Sequence, residues 1–484
     1  MKRRMRIPNG TFDDYILDDV NRRYPSLDCL AKEESKQLDT RVRHLVRFTD
    51  KAKVSFQVVD FIADWVSKRA RFEERQVDAQ ICDSQPKKKY FFRDPWEGSS
   101  MIIVKEGEKP ITDGFNLIVC HSDSPCLRLK PRPVKLEWAE DEIFNFLGAR
   151  FSATLYGGGL VHHWIGQQVN IIGYALDKNG TKRAIEVPGV IGDYASHVDD
   201  RDDEEVRIAF PKEQSLEVIA GHTNIKGVLD GFGFKSLDDF AEAKLFAVPT
   251  NSTLPIDEYT WRLLTGYGLD DRVCVFSATD AIIKTKNPKK TSIVWITDTE
   301  EIGDIQPTGA SGHFLDLVLD YLIQKEGAKR RVDSSESARR KMFHKSSLLI
   351  GDVNIAPYGH DSEKMDVTNA PKLGFGVYMA CDDYEISNPD FVRKLRNLAR
   401  KGERTGRNIC HQLCGDFNNQ DKQDLWYRGY FDGKDAQLSR IGQWAWVGVP
   451  CASTHSHNEI VCPADEMWTA KLYRRFLESD LGLK

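Results

Sequence analysis

No apolar run in this sequence approaches the ~20 residues that a membrane-spanning helix needs. The basic start, MKRRMRIPNG, is not followed by an apolar stretch, so a secretory signal is not expected. Charge of one sign is lacking too. Lys+Arg is 68 and Asp+Glu is 73, a net charge of −5, which gives no general reason to expect a nucleic acid or a membrane surface as partner. There is no internal repeat and no low-complexity tract. The ten cysteines are scattered from Cys29 to Cys462, and in a chain of 484 residues their even number is no sign of disulfides. We read them as thiols of a reduced, cytoplasmic compartment. Cys410 and Cys414 flank His411 at C-x-x-x-C spacing, but no second pair stands nearby to complete a four-ligand zinc site.

What is present is a globular composition: 40% apolar, 29% charged and 10% aromatic residues. That excludes a disordered chain, a coiled coil and a collagen-like fibre. The length suits about three domain-sized units, or one large enzyme carrying an insertion. Val54, Val58, Phe61, Ile62 and Trp65 share one helical face and predict a helix near 52–70. YFF (90–92), MIIV (101–104) and FNLIVC (115–120) predict strands. From about 130 to 260 the texture becomes β-rich, with VKLEW (134–138), QVNIIGYAL (168–176) and VRIAF (206–210) as strands and the acidic DDRDDEEV as a solvated loop. After 262, helices and strands alternate. Helices are predicted at 271–284, 314–324, 391–401 and 467–478, with strands at 292–297, 347–353, 409–414 and 444–450. Such alternation predicts an α/β layered domain. The basic, polar segment 327–347 reads as a solvated excursion.

Four clusters of acid or histidine sit just past apolar runs: His121-Ser-Asp123, Asp298-Thr-Glu300-Glu301, Asp352 and His455. In open α/β sheets ligands bind beyond the carboxyl ends of strands, so these clusters could share one crevice. Asp270 and Asp271, in GYGLDDR, are a fifth candidate, against the plainer reading of a helix N-cap. Two histidines among several carboxylates suit Zn²⁺ or Mn²⁺ in a hydrolytic site. A two-metal centre needs a bridging carboxylate, terminal ligands for each ion and a base for water. One possible arrangement has His121 bind metal while Asp123 orients its ring. Of Glu300 and Glu301, one can ligate while the other holds water. Taken singly, each motif is commonplace.

Taken in order, HSDSPCLRLKP, YGGG followed by Trp164, GYGLDDR, DTEEIG, GDVN and THS-x-x-E resemble the aspartyl aminopeptidase family. The resemblance is closest to its bacterial aminopeptidase 1 branch and covers roughly residues 50–480. It implies an α/β/α sandwich catalytic domain with a mixed central sheet, interrupted by a β-rich dimerisation domain. The expected division is 1–127 and 262–484 for the catalytic domain and 128–261 for the insertion. It also implies two divalent metal ions, normally Zn²⁺ with Mn²⁺ or Co²⁺ as alternatives. Removal of N-terminal residues from peptides and a homo-oligomer, a dodecamer built from dimers, are implied as well.

Residue by residue, the resemblance makes His121 a ligand of the first metal, with Asp123 as the acid that orients it. Asp270 becomes the bridging carboxylate and Asp352 a terminal ligand of the first metal. Glu301 and His455 become ligands of the second metal, and Glu300 the general base. Lys372, in APKLG, matches a family lysine near the substrate side chain. Tyr156-Gly-Gly-Gly reads as a tight turn, because no GK[ST] follows it. His162 and His163 lie just after it. We keep His163 as a substrate-contact candidate that could reach a neighbouring subunit's site. Two departures stand out. DLWYRGYFDGKDAQLSRIGQ replaces a glycine-rich stretch, and DVNIAPYGHD lacks the H-A-x-H-P-N-Y pattern of the acid-specific branch. A preference for N-terminal Asp or Glu is therefore not carried over. The competing expectations are an oligomeric scaffold with little peptidase activity and a metal-dependent deacylase of a non-peptide amide.

Overall fold

The computed structural model describes residues 25–78, 88–135, 149–177, 179–192, 216–220, 225–256, 262–328, 333–381, 388–400, 408–415 and 438–482. Among them, nine strands form one mixed sheet. Its order is Glu73–Arg75, Lys89–Arg93, Met101–Lys105, Thr291–Thr297, Phe115–His121, Ser347–Ile350, Gln443–Gly448, Val377–Ala380 and His411–Cys414. The four in the middle, Thr291–Thr297, Phe115–His121, Ser347–Ile350 and Gln443–Gly448, are mutually parallel. Antiparallel neighbours flank them on both sides. Every residue of Phe115–His121 and Thr291–Thr297 is buried. That is why they read as unbroken apolar runs: a parallel strand covered on both faces has no polar side to alternate with.

The covers are helical, so the molecule has the α/β/α layering expected. Helices Ser55–Ala70, Leu269–Lys284 and Pro463–Leu477 pack on one face. Helix Phe314–Gly327 packs on the other. The predicted solvated excursion at 327–347 is corrected in part. Glu336–His344 is a helix whose Met342 and Phe343 enter the second core, while Arg339 pairs with Asp316 and Asp320. Its one apolar stripe is short, so its many charges masked it. No helix among the described residues is long and apolar enough to cross a membrane.

The β-rich insertion is a closed barrel. Six strands between Cys126 and Pro249 join in the order Ala243–Pro249, Cys126–Lys135, Ala149–Tyr156, Glu217–Ala220, Lys182–Ile191 and Gln168–Leu176. Closure leaves no edge strand, and the barrel fills its own apolar core. VRIAF, the acidic DDRDDEEV and most of the altered stretch at 424–443 lie outside the described residues.

A third, small sheet was not expected. Leu254–Pro255, Leu264–Gly266, Glu459–Val461, Pro450–Ala452 and Asn354–Ile355 are joined in that order. The predicted strand 444–450 therefore divides: Gln443–Gly448 stays in the large sheet and Pro450–Ala452 enters the small one. This sheet draws the segments around Asp270, Asp352 and His455 to the same end of the molecule.

Candidate metal centre

Parallel alignment puts the carboxyl ends of the four central strands along one edge. His121 is the last residue of its strand, and Asp298 to Glu301 follow the end of Thr291–Thr297. Asp352 lies two residues beyond Ile350. Asp270 and Asp271 open the helix Leu269–Lys284, joined by a cis peptide bond and outside helical geometry. Asp271 Oδ2 accepts the backbone N–H of His121 at 3.3 Å. His455 sits in the loop between Pro450–Ala452 and Glu459–Val461 with φ 64°, a left-handed conformation that few residues but glycine adopt freely.

These residues converge. His121, Asp270 and Asp352 place donor atoms within 4.8 Å of one another; so do Asp270, Glu301 and His455, and so do His121, Glu300 and Glu301. The first two sets share Asp270. His121 Nε2 stands 3.2 Å from Asp270 Oδ1 and 3.4 Å from Asp352 Oδ1. His455 Nε2 stands 3.5 Å from Asp270 Oδ2 and 3.5 Å from Glu301 Oε2. Glu300 Oε2 is 3.8 Å from His121 Nε2.

Asp123 ties the group together. Its carboxylate is 3.5 Å from His121 Nδ1, and its carbonyl is closer to that nitrogen, at 3.1 Å. The carboxylate also accepts the backbone N–H groups of Glu300 (3.2 Å) and Glu301 (3.1 Å), and Tyr156 Oη donates to it at 2.9 Å. Asp123 thus faces His121 and also holds the Glu300–Glu301 turn.

Glu459 does comparable work on the other side. It accepts the N–H of His455 (2.8 Å) and the N–H of Asp270 (3.0 Å). Sequence reasoning gave no role to Glu459, although it was the last letter of the THS-x-x-E motif. It also missed Tyr156, whose signal was its place beside the glycine run.

The electrostatics call for cations. Burial disfavours charge on His121, yet Glu300, Asp123, Asp270 and Asp352 together raise its affinity for a proton well above the usual. Burial likewise works against charge on His455, and Glu301 and Asp270 outweigh it. Desolvation pushes the Glu300 carboxyl well up, that of Glu301 to about 7 and that of Glu459 to about 8. Asp270 is also pushed up by burial, but hydrogen bonds from the two histidines outweigh that and hold it low. So many buried carboxylates cannot all ionise without a compensating charge. Arg272, fully buried at the start of the same helix, gives its hydrogen bonds to the carbonyls of Lys53, Tyr267 and Gly268. Glu301 Oε1 has no hydrogen-bond donor among the described residues. Divalent cations that take both carboxylate and imidazole donors, such as Zn²⁺, fit this set.

His163 ends a short 3-10 turn against its own chain's second half-site, hydrogen-bonded to the backbone of His455 and 6.2 Å from the ring of His457. His457 is buried against Trp164, and neither of its ring nitrogens has a hydrogen-bond partner among the described residues. The ammonium of Lys372 donates to the carbonyl of Ala370 and its amide to Gln412. Cys410 and Cys414 each lie against a backbone carbonyl, of Phe375 and Met379.

Comparison with known proteins gives a consistent family. Residues 48–230 and 212–401 match the family described as aminopeptidase I zinc metalloprotease (M18). A probable M18 family aminopeptidase 1 from Thermotoga maritima is 31% identical over 311 residues, 59% of this chain and 65% of that protein. Its namesake in Borrelia garinii subsp. bavariensis is 26% identical over 377 residues, 72% of this chain and 77% of the relative. In structure, an M18 aminopeptidase of Thermotoga maritima aligns with a TM-score of 0.78 at 24% identity, over 92% of this chain and 98% of that one. A dodecameric mApe1 of S. cerevisiae aligns at 0.70 and 18% identity, over 92% and 98%.

Proposed function

Since the chain belongs to the M18 aminopeptidase I zinc metalloprotease family, we propose that it is a two-metal aminopeptidase that releases N-terminal residues from peptides. The observation that carries this reading is the pair of three-donor sets meeting at Asp270. In this reading His121 and Asp352 complete the first ion's ligands, and Glu301 and His455 complete the second's. Asp270, shared by both donor sets, would be held in common by the two. Zn²⁺ is the assigned ion, with Mn²⁺ and Co²⁺ as alternatives. Bound there, two such ions supply Lewis acidity that lowers the pKa of water and polarises the scissile carbonyl.

The protein's own groups do the rest. Glu300 takes the proton from the attacking water and hands it to the departing amine nitrogen. Burial, which raises its proton affinity, suits it to hold that proton between the two transfers. Asp123 keeps the turn carrying Glu300 and Glu301 in register through their amides. His163 is a candidate for contact with the substrate beside His455, and Lys372 for contact with its side chain.

We assign the division 1–127, 128–261 and 262–484 to a catalytic domain interrupted by a dimerisation domain, and a dodecamer to the assembly, by analogy with mApe1. A cytoplasmic, reducing location accords with the free thiols of the nine described cysteines.

The test is metal content of the purified protein together with release from a peptide panel under added Zn²⁺, Mn²⁺ or Co²⁺. Two ions per chain with sequential N-terminal release are expected. Two ions without release would move the assignment to a deacylase or a scaffold.

A further inference from the structure

We propose that Gly158, on a strap leaving the barrel, is a positioning residue that keeps His455 free to ligate the second ion. The proposal rests on the two-metal reading above. The strap begins at Tyr156, the last residue of strand Ala149–Tyr156, whose hydroxyl is anchored on Asp123. It then crosses the second half-site. A Cβ on Gly157 would stand 3.0 Å from the Cβ of Glu301, and that residue also has φ +80°. A Cβ on Gly158 would stand 2.6 Å from Nδ1 and 2.9 Å from Cε1 of His455. Gly158 is not among the glycines with positive φ. Left-handed backbone is therefore not what asks for glycine there; the imidazole lying against it is.

That ring has nowhere to retreat while it ligates. Its Nε2 faces Asp270 and Glu301. Its backbone N–H is held by Glu459. An added methyl at Gly158 is relieved by turning the ring, which would take Nε2 away from Asp270 and Glu301 and so break the ligand bond in the loaded protein. Gly159 supplies the control within the same strap. Its Cβ would make ordinary contacts, 3.5 Å to Pro125 and 3.6 Å to Trp164 Nε1.

The experiment uses the full chain as wild type, Gly158→Ala, Gly159→Ala, His455→Ala and the double variant Gly158→Ala/His455→Ala. Zn²⁺ per chain is measured by equilibrium dialysis over a range of free Zn²⁺, and metal-free melting curves are recorded alongside. Wild type and Gly159→Ala should hold two ions. Gly158→Ala should bind its second ion at least about tenfold more weakly, in the range seen when ligand orientation is lost. Its metal-free melt should fall no further than that of His455→Ala, which loses the same contact to Asp270, and adding Gly158→Ala to His455→Ala should change nothing further.

Wild-type retention of two ions by Gly158→Ala would overturn the proposal and leave the two-metal reading intact. A further loss in the double variant, or a metal-free melt well below that of His455→Ala, would also overturn it, because the methyl would then act elsewhere than on a movable ring. Fewer than two ions in wild type would overturn the two-metal reading and this inference with it.

Discussion

The two halves of the candidate metal centre are built differently. His121 ends a strand locked between two parallel neighbours in the middle of the large sheet, and its side chain is 2% exposed. His455 lies in a loop, in a left-handed conformation, with a side chain 38% exposed. The first half is positioned by the hydrophobic core. The second depends on single contacts: Glu459 beneath the loop, and a strap from the barrel across it. A core-built site loses geometry only with the core, whereas a loop-built one can fail through one hydrogen bond or one methyl group.

Adjacent residues give the sharpest test of that difference. Glu300→Gln is expected to keep both ions and lose about 10²–10⁴-fold in turnover, the range for a general base. Glu301→Gln should lose the second ion itself. Metal analysis beside single-turnover rates separates them, and an ion lost from Glu300→Gln would end the distinction. Next in size is Glu459→Gln. It turns an amide NH₂ or a weaker oxygen toward the N–H groups of His455 and Asp270. The second ion's affinity should fall about 10–100-fold, and the first ion's by less. Equal losses in a competition with a chelator would mean that the halves are not separately supported.

Tyr156→Phe removes one donor from a buried carboxylate that keeps two amide donors. A loss of about 1–3 kcal/mol in denaturant-measured stability is expected, with little change at the second ion. A larger effect on metal than on stability would make Tyr156 part of the site proper.

The smallest effect belongs to the scaffold behind the first half. His44 packs edge-on against Trp65 and Phe276. Burial first, then Arg69, Arg41 and Arg47, lower its pKa to about 4. Between that value and the ordinary 6.5 the unfolded chain binds more protons than the folded one. This group's contribution is therefore complete above pH 6.5 and is lost as pH falls toward 4. The melting temperature of His44→Gln should decline less than that of wild type over this window. Parallel declines would remove His44 from the account.

Legibility followed the same divide. The four central strands were readable because parallel strands buried on both faces must be apolar throughout, and their ends showed where acids and histidines would gather. The helix at Glu336–His344 was hidden by its charges, since only Met342 and Phe343 carry its packing. The small sheet was hidden by brevity. Strands of two or three residues have no period to detect, and the run 444–450 looked continuous where the chain changes sheets at Val449. The glycine run was visible but ambiguous, because a turn and a close approach both ask for glycine.

By itself, the sequence determined the layered α/β architecture, the β-rich insertion and the residue types able to hold metal, because burial and ligand chemistry are properties of each residue and its near neighbours. Only the tertiary structure decided that Asp270 stands between both donor sets, that Asp123 holds the Glu300–Glu301 turn, and that the barrel's glycines lie on Glu301 and His455. Those facts join residues far apart in the chain, and nothing local in the sequence encodes a distance across the fold.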